Sequence, residues 1–155
     1  MQSAILGQCD FLNHAFCTRH GGTSLDDYKS LNMSFREGDE TFRVQQNWSM
    51  LARSFNIPLE RFLVLNQVHG DGILVAEADD ADALFQTDLN YDAIVTNRPG
   101  LAICIKTADC VPVLIADRAK KVVAAVHAGW KGTALAISAK VIHLMCKRYA
   151  SRPQD

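Results

Sequence analysis

Long apolar runs are missing from this chain. No stretch reaches the roughly 18 residues that a membrane-spanning helix needs, so no membrane partner is expected. Net charge is nearly absent as well. The 16 Lys and Arg against 17 Asp and Glu leave −1, which does not point to nucleic acid. Cysteine occurs five times at irregular spacing, unlike the even, regular set of a disulfide-framed secreted domain. The start, Met1-Gln2-Ser3-Ala4, has neither the basic flank nor the apolar stretch of a secretory signal. A reduced, cytoplasmic setting is the expectation. Internal repeats and low-complexity tracts are lacking too, which excludes repeat arrays and disordered classes.

What is present is an ordinary globular composition. The chain has 155 residues, 48% of them apolar and 21% charged. That is enough for one domain, 1–155, with its own core. Its charge is unevenly spread. Residues 1–117 carry 8 basic and 16 acidic side chains, and residues 118–155 carry 8 basic and 1 acidic. The simplest reading is a basic tail packed on the acidic front part.

Periodicity places the elements. Ala15–Thr18 reads as a short strand, followed by a long loop from Arg19 to Gly38. Loops of that length are commonly functional. Asp39 is suited to cap a helix whose apolar face is Val44, Trp48, Leu51, Ala52 and Phe55, ended by Pro58. The period then shortens. Strands are expected at Phe62–Leu65, Ile73–Val75, Ala93–Thr96, Leu101–Lys106, Val111–Ala116 and Val122–Val126. Their near-continuous apolar runs imply a sheet covered on both faces. Thr133–Tyr149 reads as the last helix, with Ala134, Ile137, Val141, Leu144 and Met145 on its apolar side. The class is a mixed α/β (α+β) domain with β-sheets flanked by helices. An acidic segment with Glu77, Asp79, Asp80, Asp82, Asp88 and Asp92 lacks calcium-loop spacing and reads as a solvated surface loop.

Of five histidines, His69 and His127 stand out. Each closes a predicted strand and is soon followed by glycine, and Cys110 lies between them in a strand connection. Sites in α/β folds gather at such strand ends. The separations of 41 and 17 residues force nothing together. Two readings therefore stay open: a shared site, or two satisfied histidines and a buried thiol. If the three converge, two imidazoles and a thiolate form the donor set of a catalytic zinc site with one open position. Such an ion polarises a substrate and lowers the pKa of water to about 7. Asp109 is adjacent, as a general base, an outer partner of the ligands, or a turn-capping residue. Arg19 and Lys131, the latter within Gly129-Trp130-Lys131-Gly132, are candidate anion ligands or plain surface charges. His143, near the end of the last helix, reads as solvated.

Several blocks together resemble the YfiH-like family. They are Asn66-Gln67-Val68-His69-Gly70, Ala108-Asp109-Cys110-Val111-Pro112-Val113-Leu114 and Val126-His127-Ala128-Gly129-Trp130-Lys131-Gly132. Thr18-Arg19-His20-Gly21-Gly22-Thr23-Ser24 and Ser30-Leu31-Asn32 resemble its earlier blocks. The family was first described as laccase-like polyphenol oxidoreductases. The resemblance implies a zinc ion on His69, Cys110 and His127, with these three and Asp109 as the catalytic set. Arg19, Asn32 and Lys131 are implied for substrate and phosphate. It implies phosphorolysis of adenosine, inosine, guanosine and methylthioadenosine, and deamination of adenosine, with nucleoside and phosphate as partners. The implied fold is similar to that of a bacterial toxin with a Cys-His deamidase site. Family members continue beyond the last matched helix, so the expectation is a domain lacking its C-terminal part, with exposed edges that favour homo-oligomers or aggregation. The competing expectations are a Cys-His hydrolase acting on an amide or peptidoglycan precursor, a copper laccase, and an inactive metal-binding domain.

Overall fold

The computed structural model describes residues 1–77 and 89–154. They form two compact units, Met1–Leu59 and Glu60–Asp155. Asp79, Asp80, Asp82 and Asp88 of the acidic segment lie outside the described residues.

The first unit is built around helix α1, Thr41–Phe55. Its buried face is Val44, Asn47, Trp48 and Ala52; Leu51 and Phe55 of the expected stripe are only half-buried. Asp39 stands one place too early to cap it. Its carboxylate instead accepts the Glu40 N–H and the Asn32 side-chain amide, and Glu40 is the capping position. The helix ends before Pro58, at Asn56, which takes the left-handed conformation (φ 53°) that suits asparagine at this position. The strand expected at Ala15–Thr18 does not form. Phe16 exchanges backbone hydrogen bonds with Met1 alone, too little for a ladder.

Several side chains order the long loop from Arg19 to Gly38, and a buried one on α1 reaches both of its limbs. Asn47, fully buried, accepts the Thr23 N–H at 2.8 Å. Its amide donates to Ser24 Oγ at 3.0 Å and to the Asn32 carbonyl at 2.8 Å. Gly22 passes so close to the other limb that a Cβ there would lie 2.2 Å from the Ser30 carbonyl oxygen. No side chain fits in that space.

The second unit is a layered α/β structure. Strands β1 (Phe62–Val64), β2 (Ile73–Val75), β3 (Ala93–Thr96), β4 (Ala102–Cys104), β5 (Val111–Asp117) and β6 (Val122–Ala128) precede helices α2 (Trp130–Ala134) and α3 (Ile137–Tyr149). The four-stranded sheet has order β2-β3-β6-β5, and β1 pairs with β4 separately. The β2–β3 and β1–β4 pairs are parallel, whereas β3–β6 and β5–β6 are antiparallel. This is the expected mixed sheet with helical cover.

Alternation along the strands divides the core. Ala93, Val95, Val122, Ala124, Val126 and Ala128 face α3, where they meet Ile137, Val141 and Met145. Ile94 turns the other way and packs with Leu63, Leu65 and Ala76. Strand β3 is buried on both faces, as its unbroken apolar run predicts. The basic tail does meet front-part acids, through Lys140 with Asp71 and Arg148 with Glu77.

Three expectations shift. The helix predicted from Thr133 to Tyr149 is two helices, broken where Ala136 adopts φ 57°. Ala134 is consequently exposed rather than on the apolar side. His127 lies within β6, one residue before its end, rather than beyond it. Strand β4 stops at Cys104, short of Lys106, because a side chain takes over the pairing there, as described below.

Candidate metal centre

Three segments of the second unit bring the donors together. The first is the loop after β1, which carries His69 at φ 57°. Left-handed backbone is unusual for a non-glycine residue, and here it has a visible cause. The Asp92 carboxylate accepts backbone N–H groups from Val68 at 3.4 Å, His69 at 3.0 Å and Gly70 at 2.7 Å. The loop wraps the carboxylate with consecutive amides, the concave arrangement that binds anions.

The second segment is β6. Its His127 is 3% exposed, and Nδ1 lies 2.8 Å from Asp92 Oδ1. The His127 N–H also donates to the Asp92 carbonyl at 2.7 Å. With Nδ1 donating to the carboxylate, Nε2 is left as the lone-pair nitrogen. The third segment is the start of β5. The antiparallel register pairs Val111 with Ala128 and Pro112 with His127. Carried one residue further, it sets Cys110 across from Gly129.

The result is a group of one exposed, one half-buried and one buried donor, His69, Cys110 and His127. Their ligand atoms all lie within 4.8 Å of one another. The two imidazoles meet edge to face with centroids 4.8 Å apart. Zinc binds nitrogen at about 2.0–2.1 Å and sulfur at about 2.3 Å, so small side-chain rotations let one ion reach all three. Gly129 leaves the room. A Cβ there would stand 3.0 Å from His69 Nδ1 and 3.3 Å from Cys110 Sγ. Gly132 does the same for the backbone. A Cβ on it would lie 2.7 Å from the Gly70 carbonyl oxygen, so only glycine lets α2 sit against the His69 loop.

The electrostatics suit a cation. Burial raises the pKa of the Cys110 thiol first, followed by the charge and hydrogen bond of Asp109 and then by Asp92. Reactive free thiolates sit in electropositive surroundings, and these are the opposite. A bound cation reverses the balance by replacing the proton.

The other predicted site residues are placed as follows. Asp109 is exposed beside Cys110. Lys131 is exposed on α2, near Asp71. The Asp71 carboxyl is held low chiefly by the Lys140 hydrogen bond, with Lys131 adding to it. Arg19 and Asn32 belong to the first unit. Arg19 donates from Nε and Nη2 to the Lys29 carbonyl, at 3.2 and 2.9 Å. Asn32 bonds with Ser34 and Asp39. His20 and His143 are exposed, the latter as expected, and His14 accepts the Ser3 N–H at 2.7 Å.

One functional residue was misread in the sequence. Asp92 counts there as part of a solvated acidic run, yet it is fully buried. Its signal is position. It stands directly before Ala93-Ile94-Val95, a strand with no polar face, where a solvated carboxylate has no place.

The family model for the multi-copper polyphenol oxidoreductase laccases matches residues 13–155. The chain belongs to this laccase-like, YfiH family. A purine nucleoside phosphorylase of Bacteroides thetaiotaomicron is 33% identical over 151 residues, which is 93% of this chain and 55% of that protein. One from Deinococcus radiodurans is 38% identical over 141 residues, 91% of this chain and 52% of its own. Among solved structures, Bacillus licheniformis hypothetical protein YfiH superposes with a TM-score of 0.83 at 33% identity, over 87% of this chain and 52% of that one. YlmD from Geobacillus stearothermophilus gives 0.80 at 33% identity, with the same coverage. The chain spans about half the length of the curated relatives it matches. The laccase-like fold expected from the signature blocks is therefore the fold observed.

Proposed function

We propose that this chain carries the metal centre of a zinc-dependent purine nucleoside enzyme. It cleaves adenosine, inosine, guanosine or methylthioadenosine with phosphate and deaminates adenosine. The observation that carries the reading is the convergence of His69, Cys110 and His127 around the space that Gly129 leaves open. The names of the relatives supply the substrate class.

The donor set favours zinc over a laccase chemistry. Two imidazoles and one thiolate also occur in blue-copper sites. Reduction of oxygen needs a further copper cluster with many more imidazoles. Beyond His69 and His127 the chain has only His14, His20 and His143. His14 is already buried in a hydrogen bond with Ser3. The carboxylates around Cys110 likewise favour a ligand thiolate over a free nucleophile.

A bound zinc ion supplies positive charge and Lewis acidity at the reacting atoms. The chain's own residues do the rest. Asp92 fixes the His127 ring. Asp109 is the acid–base group next to the donors. In phosphorolysis the glycosidic C–N bond breaks, phosphate oxygen bonds to ribose C1′, and Asp109 handles the proton that the departing base requires. In deamination water adds at C6 and ammonia leaves, with Asp109 again moving the proton. Lys131, two residues after Gly129, is assigned to phosphate by its charge.

The test combines metal analysis with product analysis. Purified chain should contain about one zinc per polypeptide. With adenosine and phosphate it should release adenine and ribose 1-phosphate, and inosine by deamination. Cys110→Ser should lose both metal and products. Equal turnover by metal-free and metal-loaded chain would overturn the proposal.

A further inference from the structure

Two side chains outside the donor set join the three donor segments. Gln67 is half-buried, two residues before His69. Its Oε1 accepts the Lys106 N–H at 2.7 Å, and its Nε2 donates to the Lys106 carbonyl at 2.6 Å. The β1–β4 ladder has ended by then, with Val64 opposite Cys104. One amide side chain thus continues the pairing as a neighbouring backbone would. It ties the His69 segment to a point four residues before Cys110. Asp92 makes the matching connection on the other side. Its carboxylate holds the Val68–Gly70 amides and the His127 ring, and its main-chain carbonyl accepts the His127 N–H.

We propose that Gln67 and Asp92 are the positioning residues of the metal centre: Gln67 sets the reach between His69 and Cys110, and Asp92 sets that between His69 and His127. The proposal deepens the metal reading above and rests on it. The chemistry of each side chain is specific to its task. Gln67 must offer one donor and one acceptor to a single residue, and a carboxylate of the same size cannot donate. Asp92 faces only donors, so an isosteric amide turns an N–H against one of them. Removing such outer partners costs about 10–100-fold in metal affinity in other metal sites.

The test uses the full chain as wild type, Asp92→Asn, Gln67→Glu and Gln67→Ala. Zinc affinity is measured by competition with a chromophoric chelator. Cobalt(II) is then substituted, and its visible d–d bands and thiolate charge-transfer band are recorded. Each variant should bind zinc about 10–100-fold more weakly. The Gln67 variants should weaken the thiolate band, because Cys110 loses its fixed distance to His69. Asp92→Asn should instead shift the d–d bands, because the His127 ring turns. A merely structural role would lower the melting temperature of the metal-free chain while leaving the affinity of folded protein and the cobalt spectra unchanged. Wild-type binding accompanied by variant binding within twofold, with unaltered spectra, overturns this proposal alone. A wild-type chain that takes up neither ion overturns the metal reading and this proposal with it. If Asp92→Asn does not fold, the half-buried Gln67 variants decide by the same criteria.

Discussion

In each unit a fully buried polar side chain, Asn47 or Asp92, gathers a loop around itself, and the two differ in charge. Asn47 in the first unit offers both donors and an acceptor, and it meets a loop that presents both kinds of group. Asp92 in the second unit only accepts, and everything facing it donates. A neutral amide is cheap to bury once satisfied. A carboxylate is not, and it is retained only where several hydrogen bonds meet it. The lesson is that an uncharged organiser suffices for a loop that has only to hold its shape. A charged one suits a loop that, on the function proposed above, also presents imidazole nitrogens to a cation.

The sharpest way to break that comparison is to truncate both. Asp92→Ala strands the backbone amides of the His69 loop and the His127 ring, and should cost about 3–5 kcal/mol, since each buried donor left unpaired costs about 1–3 kcal/mol. Asn47→Ala leaves several loop groups unpaired and should cost about 2–3 kcal/mol. Denaturant titration gives both values. If only the charged residue has a chemical role, zinc affinity should fall in the first variant and hold in the second. A smaller effect is expected at the glycine that lets α2 approach the His69 loop. Gly132→Ala places a carbon 2.7 Å from the Gly70 carbonyl oxygen, and should destabilise by about 1–3 kcal/mol with loosened metal binding. Equal melting temperatures for wild type and variant would show that α2 can retreat without consequence.

The smallest effect concerns an exposed charge. The Asp71 carboxyl is held low chiefly by Lys140. A depressed folded pKa contributes stability above the ordinary carboxylate value, and that contribution is lost as pH falls through the folded value. Lys140→Ala should let Asp71 climb back toward the ordinary carboxylate value in an NMR titration. The difference in stability from wild type, small for an exposed pair, should be greatest at neutral pH and vanish as pH falls through the folded value. Melting at neutral pH should hardly change, as for most surface pairs.

The architecture was largely legible because it depends on periodicity. Unbroken apolar runs revealed β3 and β6, and the stripe through Val44, Trp48 and Ala52 revealed α1. The donors were legible by type, and the family blocks singled them out, but their meeting was not. It depends on the β5–β6 register, which leaves no local trace, and on Asp92. Two backbone features were hidden for another reason. Ala136 breaks a helix although alanine is the best helix former, and His69 adopts a conformation usually left to glycine. At His69 the hydrogen bonds to Asp92 override the residue's own preference. Asp92 was hidden by its company, since a run of acids suggests water and only its place before an apolar strand says otherwise.

The antiparallel partnership of β5 and β6 carries one more consequence. Its connection is the four residues 118–121, with Lys121 at φ 53° and Asp117 accepting the Lys120 N–H. Because side chains alternate, sliding one strand by a single residue turns every side chain on it to the opposite face. A slip of one residue between β5 and β6 would therefore take the candidate metal centre apart without altering any residue in it.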